Sequence, residues 1–186
     1  MTSYDHAPTI MTASGRIVEF LDPQPDQIDV DDIAHALAMQ CRFGGHTREF
    51  YSIAEHSVYV SLACDKADAL YGLLHDASEA YLVDVPKPIK QRLPDYQAIE
   101  TPLQRAIYAR FGLSEETPAS VKEADRRALV TEGRDLCAPE WEFYRLPWEP
   151  YPEKISRGRP PWPAWWLFTR RFDELMSDHP HEECPL

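Results

Sequence analysis

The sequence is short of positive charge. Nineteen Lys and Arg stand against 31 Asp and Glu, a formal net charge of −12. A nucleic-acid polymer is held by a basic face that displaces its counterions, and this balance argues against such a partner. A small anion needs only a local group of cations. Paired cysteines are also lacking: Cys41, Cys64, Cys137 and Cys184 stand apart, with no CxxC among them. That argues against a zinc knuckle and fits a reducing, cytoplasmic setting. No apolar run approaches the roughly 18 residues that would suggest a membrane span. The N-terminal stretch, with Asp5 and His6 and no apolar run, does not read as a signal peptide. Neither a repeat nor a dividing linker is present, so the 186 residues are read as one domain, large enough to bury its own core. Residues 1–13 and 177–186 are expected to be flexible ends, with His6, His179 and His181 among them.

The patterning that is present is helical. Ile33, Ala34, Leu37, Ala38 and Cys41 recur at helical spacing after Asp31 or Asp32 as cap. Ser52 and Glu55 form a capping-box pattern that opens a second helix. Leu70, Leu73, Leu74, Ala77 and Tyr81 form the apolar stripe of a third, over 68–81. Pro86 and Pro88 follow it. A fourth is expected over 95–111 with a kink at Pro102, a fifth from Thr117 and Pro118, and a last one over 164–176. Residues 14–20 are expected to form a short strand or hairpin arm, and 137–163 an irregular loop. The fold class expected is all-α, a compact multi-helix bundle with a short N-terminal β element. His35 is read as a packed core histidine, and Trp162, Trp165 and Trp166 as core packing.

The adjacent pair His75-Asp76 is expected in the middle of the third helix. An Asp there has poor helix propensity, and beside a Leu-rich stripe it needs a partner. A divalent cation is one candidate, since imidazole and carboxylate suit Zn, Mn, Fe or Co. Adjacent helical residues project about 100° apart and can both reach one ion. Glu79 falls one turn along on the same face. Upstream, His56 stands in AEHS near a helix start; downstream, Asp125 stands in KEADRRAL.

The order His…His-Asp…Asp over three helices resembles the HD superfamily of metal-dependent phosphohydrolases. The likeness extends to LLHDASEAYLVDVPKPIK (73–90), to CRFGGHTREFYSIAEHS and to DRRALVTEGRDL. These runs are similar to the 5′-deoxynucleotidases of that superfamily and to its phage and prophage nucleotide phosphohydrolases. The resemblance runs from about residue 14 to 175. It implies an HD-domain bundle in which His56, His75, Asp76 and Asp125 hold one divalent ion (Co, Mn, Zn, Fe or Mg). It implies that Glu79 orients or deprotonates water or protonates the leaving oxygen, and that Asp84 accepts from a sugar hydroxyl. Arg42 corresponds to a phosphate-contacting arginine of the family. Phe43 is a candidate to line the base or sugar pocket, and His46, Lys87 and Lys90 are candidates for further phosphate contacts.

The activity implied is release of phosphate from a deoxynucleoside 5′-monophosphate. Hydrolysis of a deoxynucleoside triphosphate is the alternative, and a non-catalytic nucleotide-binding regulator is the alternative from another class. The expected partner is a small nucleotide, with neither nucleic-acid polymer nor membrane, and a homo-oligomer is expected because relatives in that superfamily form them.

Overall fold

Asp29 caps the first helix in the computed structural model, which describes residues 8–155 and 158–177. Its side chain accepts from the Asp31 backbone N–H at the start of α1, Val30–Met39. The expected caps Asp31 and Asp32 lie inside the first turn instead. Asp32 turns to the N-terminal hairpin and accepts from the Thr12 and Ser14 hydroxyls at 2.7 and 2.6 Å and from the Ser14 N–H at 2.8 Å. That hairpin pairs β1, Thr9–Met11, with β2, Ile17–Glu19, antiparallel. The strand expected over 14–20 is therefore real but shorter, and its partner comes from residues expected to be a loose end. His6, His179, His181 and Cys184 lie outside the described residues.

The rest is helical: α2 Ile53–Ala63, α3 Ala69–Leu74, α4 Glu79–Leu82, α5 Lys87–Lys90, α6 Pro94–Arg110, α7 Ala119–Leu136 and α8 Pro161–Met176. The fold is thus an all-α bundle with one small β hairpin. α2 is the central helix and is buried on nearly all sides, through Ile53, Ala54, Glu55, His56, Ser57, Val60 and Ser61. It packs against α1, α3, α7 and α8. The Ser52–Glu55 capping box is formed in both directions. The stripe of α1 (Ile33, Ala34, Leu37, Ala38) meets Ala164, Phe168 and Phe172 of α8 in the main core. Each such large side chain, fully buried, contributes about 1.5–3 kcal/mol. No described helix is long and apolar enough to cross a membrane.

Three expectations are corrected. His35 is exposed on the outer face of α1. Trp162 and Trp166 are 68% and 42% exposed; Trp165 alone of the three packs, partly buried, against the main core, with Trp162 stacked on it at 4.8 Å between ring centroids. The third helix is not continuous. It breaks after Leu74, and the His75-Asp76 pair occupies a tight turn before α4. There Ala77, Glu79 and Ala80 donate backbone N–H to residues three back, the bonding that tightens helix ends.

Candidate metal centre

The break in the third helix is held open by α6. Gln104 Oε1 accepts from the Ser78 N–H at 3.0 Å, and its Nε2 donates to the Leu74 carbonyl at 2.8 Å. Gln104 thus takes the place of the Ser78-to-Leu74 helical bond, while the Leu74 carbonyl also accepts from the Ala77 N–H at 3.1 Å. The Gly72 carbonyl faces His75 Nδ1 at 2.8 Å. His75 is thereby fixed with Nε2 pointing inward. His56, in the first turns of α2, is fixed in the same sense: its Nδ1 lies 2.7 Å from Glu132 Oε1. A carbonyl and a carboxylate can only accept. Each ring must therefore carry hydrogen on Nδ1 and present Nε2 to the interior.

The two Nε2 atoms lie 3.2 Å apart. Asp76 Oδ2 is 3.5 Å from the His56 Nε2 and 3.3 Å from that of His75. Asp125 Oδ1, from α7, is 3.3 and 3.8 Å from the same two nitrogens. Donors about 2.0–2.2 Å from a shared ion lie roughly 3–3.6 Å apart as neighbours, and all of these separations but the 3.8 Å between His75 and Asp125 fall in that range. His56, His75 and Asp125 each bring a donor atom within 4.8 Å of the others, close enough to bind a metal ion together. Asp76 Oδ2 flanks this group, within 3.5 Å of both ring nitrogens.

The electrostatics have the same sense. Burial pushes the His75 imidazole down, but Asp76 and Asp125 outweigh it and hold the ring well above its ordinary value. Burial and Arg42 push His56 down, and Glu132 and Asp125 outweigh them. Burial raises Asp76 and Asp125, yet the two histidines, joined at Asp76 by Arg42, hold both carboxyls below the usual range. The site thus draws positive charge to its middle.

Around the centre the sequence candidates are placed unequally. Arg42 opens a one-turn 3-10 segment, Arg42–Gly45, and is buried. Its Nη1 donates to Asp76 Oδ2 and its Nη2 to Glu132 Oε2, both at 3.3 Å. Phe43 follows with φ of 55°, a region unfavourable to a side chain this size. Its ring meets Trp141 edge-on at 5.2 Å. Asp84 is half-buried; burial pushes its carboxyl up while Arg42 draws it down, with a net rise. Val83, just before it, has φ of 65°, a strained state for a β-branched residue of the kind that gathers at functional sites. Glu79 is buried, and burial, with Asp76 and Asp84 behind it, pushes its carboxyl well above the ordinary range. His46 and Lys87 are exposed. Lys90 is engaged by two carboxylates, Glu79 Oε1 at 3.1 Å and Glu100 Oε1 at 2.6 Å.

A cleft of about 330 Å³ opens beside the centre, with His75, Asp76, Lys90, Glu100 and Gln104 among its walls. A larger hollow along α8, lined by Trp166 and Arg170, includes none of the donor residues.

The residues that sequence reasoning missed are Glu132, Tyr51, Gln104 and Glu100. Glu132 is fully buried and accepts from Tyr51 OH at 3.0 Å as well as from His56 and Arg42. Despite burial, His56 and Arg42 hold its carboxyl below the usual range. A signal for it was present: Glu132 lies two turns beyond Asp125 on α7 and so shares its face. Tyr51 and Gln104 carried no comparable sequence mark.

No family model matches the chain. Over 170 residues, 90% of this chain and 96% of the relative, it is 37% identical to the uncharacterized protein YfdR of Escherichia coli. Over 131 residues, 65% of this chain and 67% of the relative, it is 37% identical to the uncharacterized protein RCAP_rcc00048 of Rhodobacter capsulatus. Identity at that level over nearly the whole of both chains establishes common descent, and the chain belongs to the family of YfdR.

Proposed function

We propose that the protein is a metal-dependent phosphohydrolase of small nucleotides, releasing phosphate from a deoxynucleoside 5′-monophosphate. The observation that carries this reading is the convergence of His56 Nε2, His75 Nε2 and Asp125 Oδ1, close enough to bind a metal ion together, with Asp76 Oδ2 beside the two nitrogens at 3.5 and 3.3 Å. Because both Nδ1 atoms face acceptors, neutral rings place bare lone pairs against each other and against two carboxylates. A cation is the partner such a donor set fits. One divalent ion (Co, Mn, Zn, Fe or Mg) would be held by these four residues. When bound, it supplies Lewis-acid polarisation at the phosphoryl group and at an attacking water.

The chain's own residues do the rest. Glu79 has one carboxyl oxygen on Lys90, while the other, Oε2, is buried with no hydrogen-bond partner among the described residues. Burial first, then Asp76 and Asp84, raise this carboxyl, which favours its protonated form. Glu79 would give its proton to the departing 5′-oxygen as the P–O bond breaks and water oxygen bonds to phosphorus, and the proton that the water loses would restore the Glu79 acid. Nucleoside and inorganic phosphate are the products. Arg42 adds fixed positive charge beside Asp76, and Asp84 would accept from a sugar hydroxyl. The location implied is cytoplasmic.

The test is a phosphate-release screen of the purified chain against deoxy- and ribonucleoside mono- and triphosphates, each with Mg, Mn, Co and Zn. Metal-dependent turnover of monophosphates is expected. Turnover confined to triphosphates would replace the monophosphate reading. No turnover by protein shown to carry metal would leave the non-catalytic nucleotide-binding regulator as the reading.

A further inference from the structure

Lys90 invites assignment as a phosphate ligand, since it follows Asp84 in a basic stretch. Its surroundings point elsewhere. Lys90 ends α5, a single turn that begins after Pro86 and contains Pro88. Its side chain is 20% exposed. The ammonium donates to Glu79 Oε1 at 3.1 Å and to Glu100 Oε1 at 2.6 Å, and it lies 5.6 Å from the Tyr96 ring centroid. Two of its three donors and all of its charge are thus engaged by protein groups. Although burial pulls the ammonium down, Glu79 and Glu100 hold it above its ordinary value, so it stays charged.

For Glu79 the consequence is geometric. A carboxyl has two oxygens, and a strong donor on one fixes its plane. Oε1 is occupied by Lys90, while Oε2 is buried with no hydrogen-bond partner among the described residues. Glu100 projects from α6 into the wall of the cleft that also contains His75, Asp76 and Lys90. The order Glu79, Lys90, Glu100 therefore ties the reacting carboxyl through α5 to α6. Without the ammonium, Glu100 would lose its counter-charge and Glu79 the donor on Oε1, so Glu79 would be free to rotate.

We propose that Lys90 is a positioning residue that holds Glu79 through Oε1 so that Oε2 alone meets the substrate, with Glu100 anchoring Lys90. This rests on the phosphohydrolase reading above. Lys90 in this account touches Glu79 and not the phosphate, so its loss acts on the chemical step and not on binding.

The test uses the full chain loaded with cobalt, as the parent and as Lys90→Met, Lys90→Arg and Glu100→Gln. Metal content, thermal midpoint, inorganic-phosphate affinity by calorimetry, and kcat and KM on deoxynucleoside monophosphates are measured for each. For Lys90→Met, kcat is expected to fall by about 10²-fold or more, within the usual share of a positioned acid. KM and phosphate affinity stay within about twofold, and metal content is unchanged. Lys90→Arg restores most of kcat, because a guanidinium can still donate to Oε1. Phosphate affinity weakened about tenfold, with kcat retained, would make Lys90 a phosphate ligand and overturn the inference. So would unaltered kcat and KM in Lys90→Met. If Lys90→Met does not fold, Glu100→Gln decides: a lower kcat at constant phosphate affinity supports the anchor, and an unchanged kcat refutes it. An inactive parent removes the phosphohydrolase reading itself, and this inference with it; an active parent with an indifferent Lys90 removes the inference alone.

Discussion

His56 Nδ1 and Glu132 Oε1 are 2.7 Å apart, both completely buried. That contact sets which nitrogen of His56 faces the cluster. It also gives Glu132 three duties, since its carboxylate takes Tyr51 and Arg42 as well. Carboxylates behind metal-binding histidines typically change metal affinity about 10–100-fold when altered. Glu132→Gln is therefore expected to weaken cobalt or zinc binding by about that factor, because an amide neither balances Arg42 nor orients the imidazole as strongly. Competition with a chelator of known affinity measures it; unchanged affinity would remove Glu132 from the supporting role.

Metal should stabilise the fold, because the donors come from α2, the α3–α4 turn and α7, and meet only in the native chain. An ion at 100 times its Kd adds about 2.7 kcal/mol, roughly 5–10 °C in Tm for a chain this size. A chelator should remove that increment from the parent and leave Asp76→Ala unmoved. Equal metal content in Asp76→Ala and parent, by elemental analysis, would count against Asp76 as a ligand.

Much of this was legible in the chain itself. The α1 stripe, the Ser52–Glu55 capping box, and the positions of His56 and Asp125 on helices all follow from spacing. What escaped depended on groups far apart in sequence. The stripe from Leu70 to Tyr81 fits one helix, and nothing local shows that Gln104, some 30 residues on, takes up the backbone groups of Leu74 and Ser78. The cap at Asp29 was missed because three aspartates fit the same rule, and Asp32 is drawn off by Thr12 and Ser14. His35 was placed inside because apolar residues flank it in α1, and the tryptophans by residue type, but His35 is exposed and α8 turns Trp162 and Trp166 outward while Ala164 and Phe168 face the core.

Gly133 is required by the wall behind Phe43. A Cβ there would collide with the Trp141 ring, and Trp141 carries the edge contact with Phe43. Overpacking costs about 1–3 kcal/mol, against roughly 1 kcal/mol gained from Ala over Gly in a helix. Gly133→Ala is expected to lower Tm by a few degrees, about 2–4 °C per kcal/mol. A Tm equal to or above the parent's would show that Trp141 yields freely.

Asp32 predicts an acid dependence. Burial raises its carboxyl, but the Ser14 and Thr12 hydrogen bonds outweigh burial and leave it below its ordinary value. The folded state thus binds this proton less readily than the unfolded chain does. The contribution of Asp32 is complete above the unfolded value of about 3.9 and is lost as pH falls through the lower folded value. Thermal melts from neutral pH to about pH 3 should show Asp32→Asn less stable at neutrality and with a shallower acid loss. Parallel curves for variant and parent would contradict this.

The central claim is that Glu79 performs proton transfer beside a metal held by His56, His75, Asp76 and Asp125. The most direct measurement compares phosphate release from a deoxynucleoside monophosphate by metal-loaded parent and Glu79→Gln. The account predicts equal metal content and nucleotide affinity, with turnover in the variant lower by about 10²–10⁴-fold. A variant that hydrolyses as fast as the parent would contradict it.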